Sequence, residues 1–156
     1  DDFSRAGLRV PRLSDPTLEA IGSFFQLIGA SYFNPVDIGG INRDNLESII
    51  DLLSNDPNVD ILGLLRGVAA RRRSQEEINT ELEMYQKARD RAGKPMLAMF
   101  WTPTPYPDST AMGELDQALQ SFGIPTFPTP NRAARALKKT IDYYRFRQSL
   151  EETSMS

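Results

Sequence analysis

Three groups of residues in this chain have types and spacing that could do chemistry. The first lies in the run Ser31-Tyr-Phe-Asn-Pro-Val-Asp-Ile-Gly-Gly40, where Asn34 and Asp37 flank the rigid Pro35 and Gly39 and Gly40 follow at once. An amide and a carboxylate placed where a strand meets solvent could orient a substrate group, and Asp37 could hold Mg²⁺ through water. The same residues could instead form an Asx-type turn that ends the strand. Gly39 and Gly40 could let the backbone approach an anion closely, or serve only as turn glycines. The second group is Arg66-Gly67, after an apolar run. Its guanidinium could clamp a carboxylate or phosphate with two parallel hydrogen bonds, or sit on a surface loop. The third is Trp101, ahead of the proline-rich stretch that carries Tyr106. An indole there could wall a pocket or hold a cation over its face, or simply pack.

The elements that must position these residues follow from periodicity. Pro16 fits the first turn of a helix that starts near Ser14 or Asp15, with Leu18, Ile21, Phe25 and Ile28 on its buried face and Gly29 as its stop. A strand is expected over residues 31–36, cut short by Pro35. Asp44 caps the next helix with Glu47 behind it, and Leu46, Ile49, Ile50 and Leu53 form its stripe. Residues 59–65 are almost wholly apolar, as a parallel strand buried on both faces should be. Ser74-Gln-Glu-Glu77 is a capping box, and Gly93 stops the helix it opens. Strands are expected over 95–101 and 124–127, and helices from about Ser109 to Gly123 and from Thr129 onward. Tyr143 and Tyr144 read as helix–sheet packing, and residues 151–156 as a polar tail.

Alternation of this kind predicts an α/β fold, a three-layer flavodoxin-like parallel sheet with helices on both faces, in a single domain over residues 1–150. A complete sheet of that type has five strands in the order 2-1-3-4-5. The sequence offers four candidates, so the first strand is expected to be missing.

Composition removes whole classes of chemistry from this chain. It has no Cys and no His, which rules out thiolate catalysis, disulfides, Ser-His-Asp triads, imidazole general bases and His-ligated metals within it. The net charge of −3 gives no general attraction to nucleic acid or anionic lipid. Absence of Cys, of a membrane-length apolar run and of a secretory signal pattern leads to the expectation of a cytoplasmic protein that meets neither nucleic acid nor membrane.

Six segments taken together resemble the ADP-forming (NDP-forming) acyl-CoA synthetases, relatives of succinyl-CoA synthetase, in their second flavodoxin-like or CoA-ligase domain. They are Gly7-Leu-Arg-Val-Pro-Arg-Leu-Ser14, Asn34-Pro-Val-Asp-Ile-Gly-Gly40, Asp56-Pro-Asn-Val-Asp-Ile-Leu62, Gly93-Lys-Pro-Met-Leu-Ala98, Gly123-Ile-Pro-Thr-Phe127 and Thr129-Pro-Asn-Arg-Ala-Ala-Arg-Ala-Leu137. The resemblance spans nearly the whole chain in family order.

It implies formation of acyl-CoA from a small carboxylic acid, CoA and ATP with Mg²⁺, through an acyl phosphate and a phosphohistidine, with no bound prosthetic group. CoA-binding and ATP-grasp domains or subunits would be the partners, in an oligomer. By the same resemblance, Asn34 and Asp37 would orient phosphate-handling loops and the loop at Arg66-Gly67 would face the acyl substrate; Trp101, at the next strand end, could then wall an acyl pocket. Arg71-Arg72-Arg73 could meet the phosphates of CoA, although such a run is more often a solvated turn. The family's Ser-Gly-Gly phosphate loop and its histidine are absent, so the chain is expected to be part of a larger ligase and inactive alone. The rival reading is a non-catalytic flavodoxin-like module that assembles other domains. A flavin carrier is disfavoured by the same missing loop.

Overall fold

A computed structural model describes residues 2–23, 33–37, 43–67, 74–101 and 109–154. Along them run α1 (Asp2–Arg5), α2 (Asp15–Gly22), α3 (Arg43–Asn55), β1 (Leu62–Gly67), α4 (Gln75–Ala92), β2 (Met96–Trp101), α5 (Ser109–Ser121), β3 (Thr126–Phe127) and α6 (Pro130–Ser154). The described strands form one parallel sheet in the order β1-β2-β3, with Leu62 paired to Met96, Gly67 to Trp101 and Ala98 to Thr126.

Side chains alternate across a strand, and β2 divides its residues between two cores accordingly. Met96, Ala98 and Phe100 join Leu62, Ile78, Leu82, Tyr85 and Ala88 beneath α4, with Ile50 of α3 and Leu119 of α5 beside them. Leu97 and Met99 face the other way and pack on Ala133 and Leu137 of α6 and on Phe3 of α1. The sheet therefore has helices on both faces, a flavodoxin-like arrangement. A third cluster, made of Leu13, Leu18, Ile21, Ile49 and Val59, fastens α2 to α3.

The helix signals act locally as their chemistry requires. Ser74 Oγ accepts from the Glu77 N–H at 3.1 Å while Glu77 Oε2 accepts from the Ser74 N–H at 3.0 Å, which completes the capping box of α4. Gly93 ends α4 at φ +64°, a left-handed conformation suited to glycine. Thr129 Oγ1 accepts from the Arg132 N–H at 3.3 Å ahead of Pro130, the first residue of α6.

Several expectations need correction. In place of a strand over 31–36, residues 33–35 form a bend; residues 31 and 32 lie outside the described part. Pro35 has no N–H to give to a ladder. β1 begins at Leu62 rather than at 59, because the Val59 N–H is taken by Asp56 O in a turn at 3.2 Å. β3 is only two residues long, since the Ile124 N–H closes the end of α5 on Leu119 O at 3.0 Å. α3 starts at Arg43, so Asp44 stands inside its first turn and not at its cap. The helix begun at Asp15 is described to Gly22, and its expected stop at Gly29 lies outside the described residues. α6 runs through Leu150 to Ser154, so the expected polar tail is helical that far. Tyr143 and Tyr144 do not pack on the sheet: they are 57% and 58% exposed and touch each other edge to face. The helix simply outlasts the short strands beneath it.

Candidate functional site

The carboxyl ends of β1 and β2 bring two of the singled-out residues together. Gly67 and Trp101 are register partners. A Cβ on Gly67 would lie 3.6 Å from Cε3 of the indole, an ordinary van der Waals contact, so the ring stands beside the glycine. Trp101 keeps 57% of its surface exposed, and Leu65, on the same face of β1, also keeps 57%. The result is an open apolar shelf at the sheet rim, where open α/β sheets receive ligands. Gly67 thus does more than end a strand: any side chain there would be placed against the indole.

Arg66 points to the opposite face by simple alternation. Its Nη2 lies 2.6 Å from Oε1 of Glu81, and the same oxygen accepts from the Tyr85 hydroxyl at 2.5 Å. The Arg66 side chain is 19% exposed and that of Glu81 8%, so this is a largely buried ion pair between β1 and α4. Arg66 Nε is buried and has no hydrogen-bond partner among the described residues. A solvated surface arginine, one of the two readings open at this position, is not what the fold contains.

Asn34 is used in the scaffold. Its Nδ2 donates to Pro11 O at 2.9 Å and ties the bend to the segment before α2. Asp37 is exposed. Gly39, Gly40, Arg71, Arg72, Arg73 and Tyr106 lie outside the described residues. Among the described residues, no group of three or more Asp or Glu side chains gathers in a way that could hold a metal ion. A shallow groove on the β3 side is lined by Phe100, Met112, Gly113, Asp116, Gln120, Thr126, Phe127 and Pro128. Its polar groups serve one another, with Asp116 Oδ1 accepting from the Thr126 hydroxyl and from Gln120 Nε2.

Sequence reasoning missed Asp56, Glu81 and Tyr85. Asp56 is 1% exposed. Its Oδ2 accepts from the Ser14 N–H at 2.9 Å and the Ser14 hydroxyl at 2.9 Å, while Oδ1 accepts from the Asn58 N–H at 2.8 Å. Burial pushes this carboxyl up, but hydrogen bonds from Thr17, Ser14 and Asn58 outweigh burial and leave its pKa below the ordinary 3.8. Lys94 Nζ adds a bond to Asp56 O at 2.6 Å, so one residue joins α2, the α3–β1 turn and the entry to β2. The visible signal was Asp56-Pro-Asn58, an Asx-turn pattern. For Glu81 and Tyr85 the signal was a carboxylate and a phenol four residues apart among the buried positions of α4.

No family model matches the chain. It is 30% identical over 143 residues to the alpha subunit of acetate–CoA ligase (ADP-forming) II of Pyrococcus furiosus, an alignment that covers 87% of this chain and 28% of that protein. It is homologous to a subunit of an ADP-forming acyl-CoA synthetase. The solved structure of PH0766 from Pyrococcus horikoshii OT3 matches with a TM-score of 0.69 at 28% identity, over 88% of this chain and 30% of that one. The chain thus spans less than a third of the length of either relative. The likeness to the ADP-forming acyl-CoA synthetases drawn from the six segments is matched by homology and by fold. Among the described residues, no helix of this synthetase relative is long and apolar enough to cross a membrane.

Proposed function

We propose that residues 1–150 of this synthetase relative act as the flavodoxin-like CoA-ligase domain of an enzyme that joins a small carboxylic acid to CoA at the expense of ATP. The observation that carries this reading is the 30% identity to an ADP-forming acetate–CoA ligase subunit over 87% of the chain. The rim fits the role. Trp101 and Leu65 offer an apolar wall, and Gly67 adds no side chain to narrow the space beside it. In this reading they frame the acyl end of the acid, while Asp37, Gly39 and Gly40 serve the phosphate-handling side.

With no His and no Cys in the sequence, the chain contributes binding, orientation and exclusion of water rather than a covalent nucleophile. The phosphohistidine and the nucleotide with its Mg²⁺ belong to CoA-binding and ATP-grasp partners, assembled as an oligomer in the cytoplasm. A non-catalytic assembling module is the second reading. It is favoured by the engagement of Arg66 with Glu81 inside the fold.

The two readings separate in the complete ligase. ADP release that requires both CoA and an acid is expected, and Trp101→Ala should raise the KM for the acid on the order of tenfold while folding normally. Turnover and KM untouched by Trp101→Ala would place the acyl site elsewhere and favour the assembling role.

A further inference from the structure

The Arg66–Glu81–Tyr85 cluster is poorly explained by stability. Two opposite charges lie between β1 and α4, with side chains only 19% and 8% exposed. Removing such a pair from water is costly, and well-packed apolar residues often serve as well or better. The buried Arg66 Nε without a partner among the described residues makes the cluster an incompletely satisfied polar network, the kind that is worse than an apolar core. What the cluster does provide is a directional link. Arg66 is the residue before Gly67, at the end of β1. Glu81 and Tyr85 are four residues apart on α4, a rigid helix with a full capping box. The bonds of 2.6 Å and 2.5 Å to one Glu81 oxygen fasten the strand end to that helix on the face opposite the indole.

We propose that Glu81 and Tyr85 are positioning residues: by holding the Arg66 guanidinium they keep the carboxyl end of β1, and hence Gly67, in place beside Trp101. The consequence for substrate rests on the ligase reading above; the consequence for Trp101 does not. Gly67 lies beside the ring, and β1 and β2 meet in register at this pair. Freeing the strand end lets the backbone move away from the indole.

The experiment uses two readouts. Trp101 is the only tryptophan in the sequence, so acrylamide quenching of its fluorescence in this chain reports the shelf alone. The KM for the acid is measured in the complete ligase. The double substitution Arg66→Met, Glu81→Leu removes both charges of the pair together, so neither is left buried without the other and the protein should fold. Its quenching constant should nevertheless change about twofold and its KM rise about tenfold, with kcat affected less. Glu81→Gln, which keeps Arg66, should also raise KM. If Arg66 were instead a clamp for which Glu81 merely competes, Glu81→Gln would lower KM, and that result overturns the proposal.

Quenching and KM both unchanged in the folded double variant also overturn it, as does a change in only one of the two in an active enzyme. Should the double variant not fold, Tyr85→Phe decides: smaller shifts of both readouts in the same directions support the proposal, and no shift overturns it. An unsubstituted ligase without acid-dependent ADP release would sink the ligase reading, and the quenching result would then decide the positioning role alone.

Discussion

Asp56 carries the sharpest consequence at the scale of a single residue. Its carboxylate collects hydrogen bonds from Ser14 and Asn58, and its pKa is held below 3.8. A carboxyl lowered by folding adds stability above its unfolded pKa, and that stability is lost as pH falls through the folded value. Urea unfolding should therefore show a stability flat from pH 7 to about 5 that declines below about 4. Asp56→Asn should weaken that decline and Asp56→Ala should cost roughly 3 kcal/mol at neutral pH, since three hydrogen bonds to a buried carboxylate are lost at once. A Trp101→Ala protein should keep its stability within about 1 kcal/mol, because the ring is more than half exposed, while acid binding suffers. These contrasting residues differed in how readable they were. Trp101 and Gly67 stood out by type at a strand end. Asp56 and Glu81 became important only when distant segments met, and one sequence carries no record of which donors a fold will bring to a carboxylate.

Local chemistry governs at the scale of elements. The capping box at Ser74 and the left-handed Gly93 could be read directly from the sequence, because each depends on neighbours three or four residues away. Ser74→Ala should lower the free energy of unfolding by about 1 kcal/mol and Gly93→Ala by about 1 kcal/mol, both measurable by chemical denaturation. Strand limits were harder to read. An apolar run announces burial but does not say whether its first residues feed a sheet or a neighbouring cluster. Val59 went to the α2–α3 cluster and Ile61 to the α6 side, which left the ladder to start at Leu62. Pro125 illustrates the reverse case. It cannot donate, yet its carbonyl accepts from the Ala98 N–H at 2.9 Å and so seats β3 beside β2.

For the whole molecule, the layered α/β architecture followed from the alternation of periods and is the arrangement the structure has, with helices on both faces of a parallel sheet. The length of α6 relative to that sheet did not follow, because helical periodicity shows where a helix runs and not where its support stops. Ala133 and Ala134 are fully buried, whereas Tyr143, Tyr144, Phe146 and Leu150 are all more than half exposed. Tyr144→Ser should consequently change the unfolding free energy by less than about 0.5 kcal/mol, against the several kcal/mol expected of an aromatic packed on a sheet. The same contrast divides the molecule by dynamics. Every residue from Met96 to Phe100 is buried, and β2 has a strand on either side. Solvent can reach its amide protons only when both layers separate together, so their deuterium uptake should follow global opening. Amides beyond Ile141 need only local fraying, and a brief labelling pulse should mark them first.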